Sequence, residues 1–531
     1  MADRLSSLFD IVSRTGLLDP RRVPSLTVAT ARWGPTVAAP YAASALASPN
    51  RSAVIDEAGG LSYADLDRQS TQLAKGLHRL GARRGERLGV ACRNHRDFVE
   101  LTVAAAKAGL GVVYLNTSFA APQMCEVVER EKVAVLAIDL DLLHLVDGAT
   151  FEAPVLVTGP DQPDRAALDG GIHTISDVRR DGELGGSLRA SLPVPPVLLT
   201  SGTTGTPKGA QRSNRVDPTA ATAIIDRIPY RHDDVIAITS PLFHAWGLAQ
   251  LLLASALGAT TALTTSFDAT ATLEQIERER VTVLAVVPAI LQRLLASPTL
   301  DSTDLSSLRI VASSGSALPV PVVQEWLERV GPNLYNLYGS TEVGQATLAT
   351  PDDLTIEPAT AGRVMPGSVV AILDDAGDAV PPGQIGRIFV GNGAQFEHYT
   401  GGGGKEIIGG LMSSGDVGHL TADGLLFVTG RADDMIVSGG ENVFPREVED
   451  LLLAHPGIDD VAVVGVEDHE FGQRLAAHVV KADGARLSAK TVKQLVSDQL
   501  ARHKTPRDVH FVDELPRTAT GKLRRNQLDR G

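Results

Sequence analysis

Between residues 61 and 157 helix-like and strand-like segments alternate, and this limits the fold more than any other feature of the chain. "SYADLDRQSTQLAKGLHRLGA" sets Leu66, Leu73, Leu77 and Leu80 near helical spacing, with Gly81 as a stop. "ERLGVAC" follows as a short buried strand, "DFVELTVAAAKAGL" as a helix and "GVVYLN" as another strand. Strands separated by helices can pair in parallel, so the alternation predicts a parallel sheet covered by helices. With 531 residues the chain exceeds one compact core, and two or more structural units are expected.

Residues 159–196 are richer in Pro, Gly and Asp and read as a surface connection. Alternation resumes beyond them with "DVIAITSPLF", "WGLAQLLLASALGA", "VTVLAVVPAILQRLLA" and "LRIVASSG". From about 360 the pattern changes to short strands with Gly/Pro turns, which suits a small antiparallel sheet or distorted barrel. The last hundred or so residues form a compact α+β pattern. The helix "REVEDLLLAH" is followed by the strands "DDVAVVGV" and "QRLAAHVVKA", a helix capped by Ser488, and the strand "DVHFVDEL". The expected class is α/β: a large multi-subdomain body over 1–430, with two helix-covered sheets and a small barrel-like part, and a small mobile α+β lid over 431–531.

Composition removes several function classes. The formal net charge is −14, and phosphate backbones are bound by basic surfaces, so nucleic acid is not expected as a partner. The two cysteines, Cys92 and Cys125, show neither disulfide nor zinc spacing, which suits a reduced cytoplasmic setting. The N-terminal residues lack the pattern of a signal peptide, and no apolar run is long enough to span a bilayer. Leu5, Leu8, Phe9 and Val12 share one helical face, either docked on the body or serving as a weak peripheral foot on a membrane surface.

The residues with the clearest chemistry lie in "TSGTTGTPKGA", 200–210. Gly202 and Gly205 permit turns that aim backbone N–H groups at an anion. The hydroxyls of Thr200, Ser201, Thr203 and Thr204 add donors, and Lys208 adds a point charge. This set suits the β- and γ-phosphates of a nucleotide. It departs from the ordinary P-loop, since Pro207 has no N–H to offer and no hydroxyl follows Lys208 to hold Mg²⁺. The metal ligand must come from elsewhere in the chain.

The loop resembles the phosphate-loop signature of the adenylate-forming superfamily, which includes acyl-CoA synthetases, peptide-synthetase adenylation domains and firefly-type luciferases. "PLFHAWG" (241–247), "SSGSALP" (313–319), "NLYGSTE" (336–342), "SSGDVGHL" (413–420), "GRADDMIVSGGENVFPREVE" (430–449) and "PRTATGK" (516–522) follow in family order. The resemblance implies a two-step reaction. A carboxylate attacks the α-phosphate of ATP, pyrophosphate leaves, and the acyl-adenylate then passes its acyl group to a thiol, usually that of coenzyme A.

It also implies roles. Thr203, Thr204 and Lys208 cradle the departing phosphates, Thr341 donates to a phosphate, and Glu342 holds Mg²⁺. Tyr338, next to Gly339, stacks near adenine against Gly315, Ser316 and Ala317, and Asn336 faces the adenine amine. Asp416 accepts from the ribose hydroxyls and Arg431 lies near ribose and phosphate. Lys522 reaches the α-phosphate and the substrate carboxylate when the lid closes on the body. Asp433 is the hinge pivot, and Gly439 and Gly440 line the channel for the pantetheine arm.

The helix after "PLFH" contains no acidic residue to pair an α-ammonium, which disfavours an amino acid substrate. The resemblance places His244 beside the substrate carboxylate. Trp246 suggests an apolar pocket wall, and the small Gly339, Gly344 and Ala346 suggest depth for an alkyl chain. The expected substrate is therefore a medium- or long-chain fatty acid, with an aryl or other hydrophobic acid as the alternative. Three readings compete: an acid–CoA ligase, a ligase that serves a carrier protein, and an inactive nucleotide-binding protein. The glycines at 401–404 and Lys405 replace charged residues usual in relatives, and this departure is expected to touch none of the assigned roles. Oligomeric state, a homodimer included, is left open.

Overall fold

A computed structural model describes residues 11, 13–16, 19–149, 151–159, 171–189, 192–200, 208–211, 218–396, 398–400, 404–438, 441–468, 472–518 and 522–528. The chain divides into two units. The first comprises 1–286, 297–312 and 394–404, and the second 287–296, 313–393 and 405–531.

In the first unit the predicted alternation becomes a sheet whose parallel strands are Arg87–Ala91, Gly111–Tyr114, Val133–Asp139, Val155–Thr158, Ile172–Thr174 and Val197–Thr200. The helix predicted from "SYADLDRQSTQLAKGLHRLGA" spans Tyr63–Arg79. Ser62 caps it by accepting from the Asp65 N–H, and Leu66, Leu73 and Leu77 are fully buried. A second set of parallel strands in this unit, Val235–Ile238, Thr260–Ala262 and Val283–Val286, is followed in turn by helices such as Ala245–Leu257.

Strand ends in this unit are tied by buried polar side chains that the sequence reading did not single out. His95 Nε2 lies 2.8 Å from Asp139 Oδ1, the Thr158 hydroxyl donates to the same oxygen at 2.7 Å, and the Arg93 N–H donates to Oδ2. Cys92 Sγ lies 3.1 Å from Thr158 Oγ1. Cys92, His95 and Asp139 are thus each hydrogen-bonded in the core, and both cysteines are free thiols. Asn94 alongside donates to Ile238 O and Ser240 O and accepts from the Leu242 N–H, so one buried amide sets the backbone that leads into "PLFHAWG".

In the second unit the Gly/Pro-punctuated stretch forms an antiparallel run. Its order is Val369–Leu373, Gly386–Gly391, Leu411–Leu420, Leu425–Arg431, Gly362–Val364, Gly344–Ala349 and Leu334–Ser340. The expected barrel-like part takes this open form, with Val369 at its edge 57% exposed. The C-terminal α+β pattern appears as read. Ile458–Asp468 pairs antiparallel with Gly472–Lys481, which pairs parallel with Asp508–Phe511. The helices Pro445–Leu453 and Ala489–Gln499 bury Val448, Leu452, Val492 and Val496 against Val461, Val463 and Val479. Ser488 caps the second helix by accepting from the Thr491 N–H. Among the described residues no helix is long and apolar enough to cross a membrane. Leu5, Leu8, Phe9 and Val12 lie outside the described residues.

Candidate active site

Part of the predicted site is built on two β-hairpins of the second unit. Leu411–Leu420 turns back into Leu425–Arg431, and the register sets Asp416 directly opposite Arg431. Leu334–Ser340 and Gly344–Ala349 form the other hairpin, with a bulge between Tyr338 and Gly339. These hairpins bring together Tyr338, Asp416 and Arg431, three residues far apart in sequence. The Tyr338 hydroxyl donates to Asp416 Oδ2 at 2.6 Å, and Arg431 Nη1 lies 3.4 Å from Oδ1. The Asp416 N–H donates to Ser414 Oγ, whose hydroxyl donates to Ile388 O, which fixes the backbone under the carboxylate.

The Asp416 side chain is 15% exposed. Burial pushes its pKa above the usual carboxylate value, while the Tyr338 hydrogen bond and the charges of Arg431 and Lys405 oppose the rise. Burial likewise pushes the Tyr338 phenol well up, so it remains a donor at neutral pH. An ionised carboxylate has about four acceptor positions. Tyr338 takes one, and others remain for donors such as sugar hydroxyls. Arg431 is shared: its Nε also donates to Asp433 Oδ1 at 3.0 Å.

Lys405 is the residue the sequence reading passed over. Its ammonium donates to Ser414 O at 3.4 Å, and its charge acts on Asp416. Lys405, in the stretch expected to touch none of the assigned roles, thus acts on one of the candidate residues. Nothing in the local sequence marks Lys405, because only the fold of the 407–431 strands carries it to Asp416.

The Ser314 hydroxyl donates to Leu337 O, which ties the loop carrying Gly315, Ser316 and Ala317 to the Tyr338 strand. Gly315 sits at φ +97°. Asn336 is buried on the same strand. Thr341 and Glu342 follow in a turn organised by Ser340 Oγ, which accepts from the N–H groups of Glu342 and Val343.

Lys522 is exposed, its N–H bonded to Thr518 Oγ1 and its carbonyl accepting from the Thr518 N–H. Its charge acts on Asp433 and Asp434. Burial, the largest single influence, would raise Asp433, but the Arg431 hydrogen bond and charge together with the Lys522 charge outweigh it, and the carboxyl lies below its usual range. Burial does prevail at Asp434 and raises it, although Arg525 lies 3.5 Å away.

In the first unit, antiparallel pairing sets Thr200 opposite Lys208, so the two ends of the predicted phosphate loop meet. Ser201, Gly202, Thr203, Thr204 and Gly205 lie outside the described residues, as do Gly439 and Gly440. His244 occupies the N-cap position of the helix Ala245–Leu257, with its ring against Phe243 at 4.5 Å between centroids. The residue is partly exposed, yet Nε2 itself is out of solvent and has no hydrogen-bond partner among the described residues. Burial pulls its pKa down to about 4, so the ring is neutral at pH 7. The Trp246 indole is held by its N–H donating to Val286 O at 3.0 Å.

The small residues read as pocket depth have another cause. A Cβ at Gly339 would lie 2.2 Å from Gly344 O across the hairpin, and Gly344 itself sits at φ +71°. Ala346 is fully buried. Gly339 and Gly344 are small because their own backbone demands it, so they carry no argument for an alkyl tunnel.

In the second unit a buried carboxylate flanked by cations suits the binding of hydroxyl donors, and in the first a neutral imidazole has an Nε2 without a partner among the described residues. Comparison with known proteins supplies the family. Residues 41–400 match the AMP-binding enzyme family and residues 447–522 its C-terminal domain, and the chain belongs to that family. Within it, the chain is an AMP-forming acid–CoA ligase whose reaction uses ATP, Mg²⁺ and coenzyme A. It is 35% identical over 491 residues to the indoleacetate–CoA ligase of Aromatoleum aromaticum, with 90% of this chain and 95% of the relative covered. It is 32% identical to a feruloyl-CoA synthase of Amycolatopsis over 488 residues, covering 91% of this chain and 96% of that one. Among solved structures, an anthranilate CoA ligase in complex with anthranoyl-AMP superposes with a TM-score of 0.84 at 25% identity, covering 94% of this chain and 97% of that chain.

Proposed function

We propose that the acid is aromatic or aryl-alkanoic rather than a fatty acid. The observation that carries this reading is the 35% identity, over nine-tenths of the chain, to a ligase named for indoleacetate. The names of the feruloyl and anthranilate relatives point the same way. Two features of the structure support it. Trp246 is a buried indole held by a hydrogen bond to Val286 O, and aromatic rings pack well on an indole face. The fatty-acid expectation drew on Gly339, Gly344 and Ala346, whose size the hairpin and core explain without a tunnel.

In this reading the carboxylate oxygen attacks the α-phosphorus of ATP and the bond to pyrophosphate breaks. The coenzyme A thiol then attacks the acyl carbon, gives up its proton and releases AMP. Asp416 accepts from the ribose hydroxyls and Tyr338 lies beside adenine. His244, neutral at pH 7, donates a hydrogen bond to the substrate carboxylate without pairing its charge, so the carboxylate keeps its nucleophilic electron density. Lys208, with the hydroxyls of Thr203 and Thr204, neutralises the departing phosphates, and Lys522 lowers the repulsion between carboxylate and α-phosphate. Glu342 would hold Mg²⁺ through its carboxylate, an oxygen ligand of the kind this cation prefers, and the cation would supply charge neutralisation on the phosphates.

Pyrophosphate release and thioester formation over a panel of acids test the reading. Indoleacetate, ferulate, benzoate and anthranilate are compared with octanoate and palmitate. The best aryl acid is expected to exceed both fatty acids by about tenfold or more in kcat/KM, the scale that a shaped apolar pocket supplies. Equal or better turnover of octanoate or palmitate overturns the aryl assignment while leaving the ligase reaction intact.

A further inference from the structure

We infer that Lys405 is a positioning residue of the nucleotide site: its ammonium, held beside Gly415, supports the Asp416 carboxylate as the acceptor of the ribose hydroxyls. The inference rests on Asp416 serving as the ribose acceptor.

The geometry around Gly415 carries it. Gly415 sits at φ +83°, and a Cβ there would lie 3.1 Å from Arg431 Nη2 and 3.3 Å from Lys405 Nζ. Two cations therefore converge on one backbone position, directly before the carboxylate. Arg431 is divided between two acids: its Nη1 is 3.4 Å from Asp416 Oδ1, while its Nε is 3.0 Å from Asp433 Oδ1. Asp433 thus competes for the guanidinium that would otherwise neutralise Asp416. Among the described residues Lys405 donates to the Ser414 carbonyl at 3.4 Å, and its charge acts on Asp416.

Among the described residues, the groups that face Asp416 come from several elements. Tyr338 donates from the strand Leu334–Ser340, Arg431 faces it from Leu425–Arg431, Ser414 supports it from its own strand, and Lys405 approaches from the segment before Ile407–Ile408. Only two of these, Arg431 and Lys405, are cationic. Burial favours the protonated acid at Asp416, and a protonated acid loses acceptor capacity where two hydroxyls must be bound. Removing Lys405 leaves a shared arginine and the Tyr338 and Ser414 hydrogen bonds to oppose that burial.

Equilibrium binding of ATP and of 2′,3′-dideoxy-ATP, measured by calorimetry on the full chain without acid substrate, tests the inference. The wild type is expected to prefer ATP, because only ATP offers hydroxyls to Asp416. In Lys405→Met ATP affinity is expected to fall about tenfold, the scale of one charge-assisted hydrogen bond, with dideoxy-ATP affinity unchanged. The pH below which ATP binding weakens should also rise in that variant. Lys405→Arg should restore both, and Lys405→Gln, checked for an unchanged melting temperature, should repeat the methionine result. Equal weakening of both nucleotides would mean that Lys405 touches phosphates and would overturn the inference, as would an unchanged preference. Asp416→Asn is measured in parallel. If the wild type itself binds both nucleotides equally, the ribose reading of Asp416 fails. If the wild type and Asp416→Asn behave as expected while Lys405→Met is silent, only the role of Lys405 fails.

Discussion

Burial acts on Asp416 and His244 in the same sense, against charge, but with different outcomes. Asp416 has a phenol donor and two cations to oppose the effect, whereas His244 has no partner for Nε2 among the described residues. The imidazole pKa consequently drops from 6.5 to about 4. The sign of the pH dependence follows. A histidine whose folded pKa is depressed contributes stability that is fully present above the unfolded value and is lost as pH falls towards the folded one, because the unfolded chain binds the proton first. Between pH 6.5 and about 4 the wild type should lose about 3 kcal/mol through this group. His244→Gln, which cannot titrate, should not show that share of the loss. Denaturant midpoints of the two proteins at neutral pH and at about pH 4.5 check this, and parallel losses would contradict a neutral buried imidazole. His244, Tyr338, Asp416 and Arg431 were legible because each sits inside a contiguous motif. Lys405 was not, because it follows a run of glycines and owes its place to strand pairing alone.

At the scale of elements, the Tyr338 hairpin shows how backbone packing holds the site. Gly339→Ala drives a Cβ into Gly344 O, so the hairpin must open, at a cost of about 3 kcal/mol. Tyr338 and the turn bearing Glu342 should shift with it and raise the KM for ATP. Gly424→Ala makes the contrast: at φ +87° with nothing within 4 Å, it meets conformational strain alone, about 1 kcal/mol. Melting temperatures of the two variants test the difference, and an equal drop would show that the Gly339–Gly344 approach is not what limits that position. The elements themselves were largely legible. Apolar periodicity marked two helices, the later one with Ser488 as its cap, and β-rich runs marked the C-terminal hairpin; the Ser62 cap came only with the structure. Pairing order was not legible. No local signal sets Gly362–Val364 beside Leu425–Arg431, since that choice depends on which buried faces match over sixty residues of chain.

For the whole molecule, the role proposed for Lys522 separates the two chemical steps. Lys522 is exposed and acts electrostatically on Asp433 and Asp434. Lys522→Ala is expected to lower acyl-adenylate formation at least a hundredfold, since it removes a cation from between two anions (about 3 kcal/mol), while thioester formation from a pre-made adenylate largely survives. Equal loss in the two half-reactions, each followed separately by pyrophosphate release and by acyl-CoA yield, would remove that role. The sequence alone determined the α/β class, the C-terminal α+β unit, the AMP-forming chemistry and most candidate residues, because local periodicity and contiguous motifs carry that information. The tertiary structure decided what depends on distant segments meeting. It set the phenol of Tyr338 on Asp416, divided Arg431 between two acids, brought in Lys405, and gave Gly339 a backbone reason for its size. Hydrogen bonds and charge pairs of this kind form only after strands far apart in the chain have chosen their register, and the residues beside them in sequence say nothing of that choice.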